Sequence, residues 1–225
     1  EYAIKVNPQY IEAINNLGLI LQREKDYLSA IKQYERVLQL NKDSLEAFNN
    51  LSKAYLDLGK LGKAKEVIEQ GLQKDKKNVP LLSNLLDLYL INRELSQAEV
   101  LCSRLLSINP KSSGVYNALG SIAEKRGNFN LAKERFETAL SLNPKNLQAH
   151  VNIAAMLQHS GEFYSAIEVY EKVLKKHDNL DAKYNSSEAL LTVGDLKKGW
   201  TRYDFRWEVF PANKVKWPFA REGMW

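Results

Sequence analysis

Asparagine recurs at Asn16, Asn50, Asn84 and Asn152, on a spacing of 34 residues with Ala118 in the one skipped place. A side-chain amide both donates and accepts, so it can pair with the C=O or the N–H of a peptide unit. Such a row would hold an extended chain by its backbone with little demand on sequence; the plainer alternative is a row of solvated helix residues. Little else in the chain is equipped for chemistry. His150 falls in an apolar column and is expected to pack in the core, and His159 and His177 have no partner at metal-ligand spacing. Cys102 is the single cysteine, which excludes an internal disulfide and reads as a small core filler in line with Tyr34, Phe136 and Tyr170. No P-loop, G-x-G-x-x-G, G-x-S-x-G or HExxH pattern occurs. The expectation is a binding protein without catalytic residues, metal or cofactor.

The elements that must carry the asparagines follow the same period. Ala30, Ala64, Ala98, Ala132 and Ala166 form one column. Leu38, Leu72, Leu106, Leu140 and Leu174 form another, and Leu17, Leu51, Leu85, Leu119 and Ile153 a third. Tyr27, Leu61, Leu95, Phe129 and Phe163 make a fourth. Within a unit, Ile14, Leu17 and Leu21 and then Ala30, Ile31, Tyr34 and Leu38 keep helical spacing on either side of a break. Gly59, Gly127 and Gly161 supply the turn at that break. Each unit is therefore two antiparallel helices. Gly18, Gly120 and Ala154 on the first helix, with the alanine column on the second, leave room for close approach. Leu86 in that small-residue position predicts wider spacing in the third unit. Asn109-Pro110 and Asn143-Pro144 stop second helices, and Asp43 with Glu46 reads as a capping box for the next first helix.

This pattern resembles the tetratricopeptide repeat, TPR, a 34-residue helix–turn–helix. Complete repeats fall at 11–44, 45–78, 79–112, 113–146 and 147–180. Residues 1–10 read as the end of a preceding partial repeat, and 181–209 as a degenerate sixth pair or cap that loses one residue after Leu191. The resemblance implies an all-α, right-handed TPR superhelix whose first helices line a concave binding surface. The asparagine row resembles the ladder in the TPR superhelix of protein O-linked N-acetylglucosamine transferases. A basic clamp for acidic C-termini is not expected: Asn49, Lys53, Asn84 and Ala118 include one lysine.

Composition narrows the partners. Net charge is +5, and residues 182–225 hold eight Lys/Arg against five Asp/Glu. No dense basic tract suggests nucleic acid, no apolar run is long enough for a membrane span, and no signal peptide opens the chain. A reducing, cytoplasmic setting is expected. The chain begins at Glu1 rather than Met and reads as a piece of something longer.

All four tryptophans, Trp200, Trp207, Trp217 and Trp225, lie at the far end. Leu196, Trp200, Tyr203, Trp207 and Phe210 keep helical spacing up to Pro211. Two readings compete. In one, residues 214–225 fold back over the last helix pair as a private cap. In the other, residues 210–225 are a linker toward a missing C-terminal domain, with Trp200 and Trp207 buried against the fifth repeat and the linker and Trp217 and Trp225 as docking residues. The run Gly194, Asp195, Gly199, Trp200, Tyr203, Arg206 and Trp207 resembles the junction of bacterial TPR–glycosyltransferases. That resemblance implies the substrate-recruiting half of a sugar-transferring enzyme; the alternative is a free-standing assembly scaffold.

Overall fold

The computed structural model describes residue 7 and residues 9–209; the calls on 1–6, Pro8 and 210–225, including Trp217 and Trp225, lie outside them. The described residues are helical throughout and fall into two compact units, Glu1–Pro110 and Lys111–Trp225. The first unit holds α1 (Ile11–Arg23), α2 (Tyr27–Leu40), α3 (Leu45–Asp57), α4 (Leu61–Lys74), α5 (Val79–Ile91) and α6 (Leu95–Ile108). The second holds α7 (Ser113–Lys125), α8 (Phe129–Leu142), α9 (Leu147–His159), α10 (Phe163–Leu174), α11 (Leu180–Thr192), α12 (Leu196–Tyr203) and the short α13 (Arg206–Val209).

Local chemistry sets these boundaries. First helices begin where Ser44, Asn78, Asn146 and Asn179 accept from the backbone N–H three residues on, at 2.7–3.2 Å. The cap of α3 is Ser44 and not Asp43. Asp43 instead pairs with Lys74 at 2.7 Å, and Glu46 accepts from Asn15 Nδ2. Each first helix ends in a left-handed residue whose successor bonds back five residues, as in Lys60 N to Tyr55 O and Glu162 N to Leu157 O. Gly59, Gly127, Gly161 and Gly194 hold that position, but so do Lys25 and Arg93, at φ 63° and 59°.

Packing explains the columns. Ala30, Ala64, Ala98, Ala132 and Ala166 are fully buried. A Cβ on Gly18 would lie 2.5 Å from the Tyr34 ring, and one on Gly120 2.4 Å from the Phe136 ring. Small and large side chains thus trade places across each pair. Leu86 faces the opposite exchange with buried Cys102, and the backbones of α5 and α6 approach less closely than in the other long pairs. Burial, then Glu99, pushes the Cys102 thiol up to about 12. His150 is not a core residue: it is half-buried with Nε2 2.9 Å from Pro144 O, while Val151 fills the buried place.

The lost residue lies earlier than the sequence reading placed it. Helix α10 stops at Leu174, and α11 starts at Leu180, 33 residues after Leu147. The other complete repeats end their second helix at Asn41, Asp75, Asn109 or Asn143 in extended conformation, but Lys175 stays helical and the chain turns sooner. Lys183 then takes the fourth position of its helix, as His150 does in α9.

Candidate functional site

Stacking brings first helices side by side, α1 with α3 and α3 with α5 in the first unit, α7 with α9 and α9 with α11 in the second. The asparagine column lies along these contacts. Asn50 Nδ2 donates to Asn15 Oδ1 at 3.0 Å. Asn84 Nδ2 donates to Asn49 Oδ1 and to Asn49 O, both at 3.0 Å, and lies 2.9 Å from Ser52 Oγ. Asn152 Nδ2 donates to Asn117 Oδ1 at 2.9 Å. In each case the partner sits 35 residues earlier, on the adjacent first helix. The reading of these side chains as solvent-facing rungs is corrected here. Asn84 is buried, Asn50 and Asn152 are half-buried, and only Asn16 is exposed. The Nδ2 groups of Asn50, Asn84 and Asn152 each make an inter-repeat bond, because the stacking distance puts an amide or carbonyl oxygen within reach. Asn50 Oδ1 accepts in turn from Asn49 Nδ2, and Asn152 Oδ1 from Gln148 Nε2.

The same column continues into the sixth pair. With the one-residue loss placed before α11, Asn185 takes the sixth position of its helix, as Asn16, Asn50, Asn84 and Asn152 do. A strict 34-residue count lands on buried Ser186 and passes over it.

On the first unit, a cavity of about 370 Å³ is bounded by Gln22, Arg23, Asn49, Asn50, Lys53 and Asn84 among others. Lys53 Nζ lies 3.3 Å from Asp57 Oδ1 and 3.5 Å from Asp87 Oδ2. Burial works against its charge, but the two carboxylates hold Lys53 above its ordinary value; burial raises Asp87, and Lys53 partly offsets it. The one lysine of this face is committed to carboxylates, so it does not form a clamp for acidic termini.

On the second unit, a cavity of about 430 Å³ is bounded by Gln158, Tyr170, Tyr184, Asn185, Glu188 and Tyr203 among others. Gln158 Nε2 donates to Glu188 Oε2 at 2.8 Å. Tyr170 Oη and Gln158 Oε1 are buried without a hydrogen-bond partner. The sequence reading missed this group, although Gln158 and Tyr170 repeat Gln22 and Tyr34 at four times the 34-residue period.

The aromatic end differs most from expectation. Helix α12 buries Gly199, where a Cβ would lie 2.6 Å from Leu191 Cδ2 and 3.1 Å from Leu191 N. Trp200, one position on, is turned away and 58% exposed, as is Leu196. Trp200 is therefore not packed on the fifth repeat. Nor is the stripe one helix: α12 ends at Tyr203, where Arg206 Nη1 donates to Tyr203 O at 3.0 Å and to Asp204 Oδ1 at 2.9 Å. The Arg206 guanidinium stands 4.4 Å from the Tyr203 ring and 4.2 Å from that of half-buried Trp207. Arg202 ties the pair down by donating to Ser186 Oγ at 2.9 Å and Glu171 Oε1 at 2.8 Å. Gly194 supplies the turn at φ 88°, and Asp195 caps α12 through Lys198 N. Most of the Gly-Asp…Gly-Trp…Arg run thus has a structural task in closing the last helix pair.

No three His, Cys, Asp or Glu side chains gather as a metal site among the described residues, and no helix among them is long and apolar enough to cross a membrane. Residues 21–86 match the tetratricopeptide repeat family, and residues 81–183 match the tetratricopeptide repeat protein 21 C-terminal ARM domain. No curated protein matches the chain. Among solved structures, a TPR protein from Parabacteroides merdae is 20% identical with a TM-score of 0.74, over 95% of this chain and 84% of that one. A thermophilic TPR protein of Thermus thermophilus is 22% identical with a TM-score of 0.71, over 80% and 99%. The APC/C hetero-tetramer Cut9–Hcn1 is 12% identical with a TM-score of 0.76, over 94% of this chain and 42% of that one. With the 34-residue columns, the buried alanines and the stacked first helices, the family match over residues 21–86 and the structural likenesses show a tetratricopeptide-repeat fold.

Proposed function

We propose that the first-helix faces hold extended segments of partner proteins and that the chain works as a non-catalytic scaffold. The observation that carries this reading is the alignment of first helices, which puts the asparagine row and the two cavities on first-helix faces. A repeat array that cannot bury this face against its own elements presents it to partners. The structural neighbour Cut9–Hcn1 is itself a hetero-tetramer, which supports the class of function. The test is selection of unstructured peptides from a random display library on the chain, repeated with Asn50→Arg and Asn152→Arg. Specific peptides that lose binding to these variants support the reading. Failure to select any peptide, or selection indifferent to both variants, contradicts it.

The finer reading makes the chain the recruiting half of a glycosyltransferase, working in the cytoplasm. Its enzymatic part rests on the resemblances at 194–207 and in the asparagine row, and its cytoplasmic part on the single cysteine. Since Gly194, Asp195, Gly199 and Arg206 each serve the last helix pair, a free-standing scaffold accounts for them equally. The gene downstream of Trp225 decides: a nucleotide-sugar-binding half supports the first reading, and a stop codon leaves the second.

A further inference from the structure

The first and fifth repeats carry the same pair of polar side chains in two different states. In the first, Tyr34 Oη donates to Gln22 Oε1 at 3.0 Å, and Gln22 Nε2 donates to Asp57 Oδ2 at 2.8 Å. Tyrosine, amide and carboxylate form a closed chain. In the fifth, Gln158 Nε2 donates to Glu188 Oε2, but Tyr170 Oη and Gln158 Oε1 meet nothing. Tyr170 is fully buried and Gln158 is 8% exposed. A buried polar atom without a partner is destabilising, so two together call for an explanation. Both bound the cavity of about 430 Å³, a volume in the range of ligand sites.

The atoms that remain define the occupant. Gln158 Oε1 can only accept, and Tyr170 Oη can accept as well. Glu188 adds a carboxylate, and no lysine or arginine bounds the cavity; His159 is its one imidazole. Burial first, then the carboxylates of Glu188 and Glu124, push the Tyr170 phenol far above its ordinary value, which marks the place as electronegative and keeps the hydroxyl neutral. Tyr184 and Tyr203, with ring centroids 6.2 Å apart, supply aromatic wall. Aromatic rings and oxygen acceptors beside a carboxylate suit a cation that donates several hydrogen bonds.

We propose that the cavity between α9, α10, α11 and α12 receives a lysine or arginine side chain from a segment lying on the first-helix face, with Gln158 Oε1, Tyr170 Oη and Glu188 as its acceptors. This deepens the peptide-binding reading and rests on it. Asn185, which bounds the same cavity and lies in the asparagine column, places the cavity on the path of that segment.

The test titrates the whole chain with Nα-acetyl-lysine methylamide, Nα-acetyl-arginine methylamide and the uncharged Nα-acetyl-norleucine methylamide, followed by NMR. Saturable shifts centred on Gln158, Tyr170 and Glu188 are expected for the two cations and not for norleucine. Glu188→Gln should weaken them at least tenfold. Tyr170→Phe, which copies Phe136 in the same column, should weaken them several-fold while leaving the fold intact. Equal response to norleucine, indifference to both variants, or shifts confined elsewhere overturns the proposal. A peptide array separates it from the broader reading. Peptides that bind without preference for lysine or arginine overturn the pocket alone. Amide probes that fill the cavity while no peptide binds support the pocket and overturn peptide binding.

Discussion

Replacing Asn84 by alanine measures how far the asparagine row is structural. Asn84 is 7% exposed, and its Nδ2 lies at 2.9–3.0 Å from Asn49 O, Asn49 Oδ1 and Ser52 Oγ. An amide nitrogen has two hydrogens, so at most two of these contacts are full hydrogen bonds. At about 0.5–1.5 kcal/mol net for each, their loss costs roughly 1–3 kcal/mol, and the abandoned Asn49 and Ser52 acceptors keep the value from falling below that range. Asn16 occupies the same helix position but is exposed, so Asn16→Ala should stay within about 0.5 kcal/mol. Urea denaturation followed by circular dichroism reads both. With a slope of about 2–3 kcal/mol per molar urea, Asn84→Ala should move the midpoint down by roughly 0.3–1.5 M while Asn16→Ala moves it by no more than about 0.2 M. Equal shifts for the two variants would refute the inter-repeat bonding described above.

Three further outcomes follow from the packing and the ionisable groups. Gly199→Ala should destabilise by about 1–3 kcal/mol, because its Cβ would meet Leu191 at 2.6 Å, whereas Trp200→Ala should cost only about 1 kcal/mol; denaturation of the two variants compares them. Arg93→Gly should raise stability by roughly 0.5–1 kcal/mol in the same assay, since it removes an L-residue from φ 59° at a net gain over the glycine entropy cost. Burial, then Asp57 and Glu46, raises Tyr34 from 10.0 to about 12, and burial, then Glu35, does the same for Tyr55. Their neutral forms are favoured in the folded chain, so this stability is complete below pH 10 and is lost as pH rises toward 12. Stability measured from pH 8 to 12 should fall across that window, and Tyr34→Phe should flatten the fall.

The repeat was legible because its physics is local. Buried alanines at a fixed 34-residue period, with glycine at four of the six left-handed turn positions, leave marks in the sequence itself. The shift before α11 was not legible: a single lost residue can be absorbed on either side of α11, and only the extended or helical state of the residue after α10 decides. The inward turn of Asn84 depends on a neighbour 35 residues away, which is set by stacking and not by either helix alone. At the last pair, the stripe through Trp200 and the backbone contact at Gly199 are one residue apart, about a quarter turn. Hydrophobic spacing selected the stripe, but close approach selected the glycine, and Leu196 and Trp200 were left outside.

The most direct test of the central claim is amide hydrogen exchange of the whole chain, alone and with the tightest peptide selected from a random library. The account predicts that added protection falls on α1, α3 and α5 or on α7, α9 and α11, including the segment around Asn185 and Glu188. Protection confined to the second helices α2, α4, α6, α8 and α10, with the first helices unchanged, would contradict it.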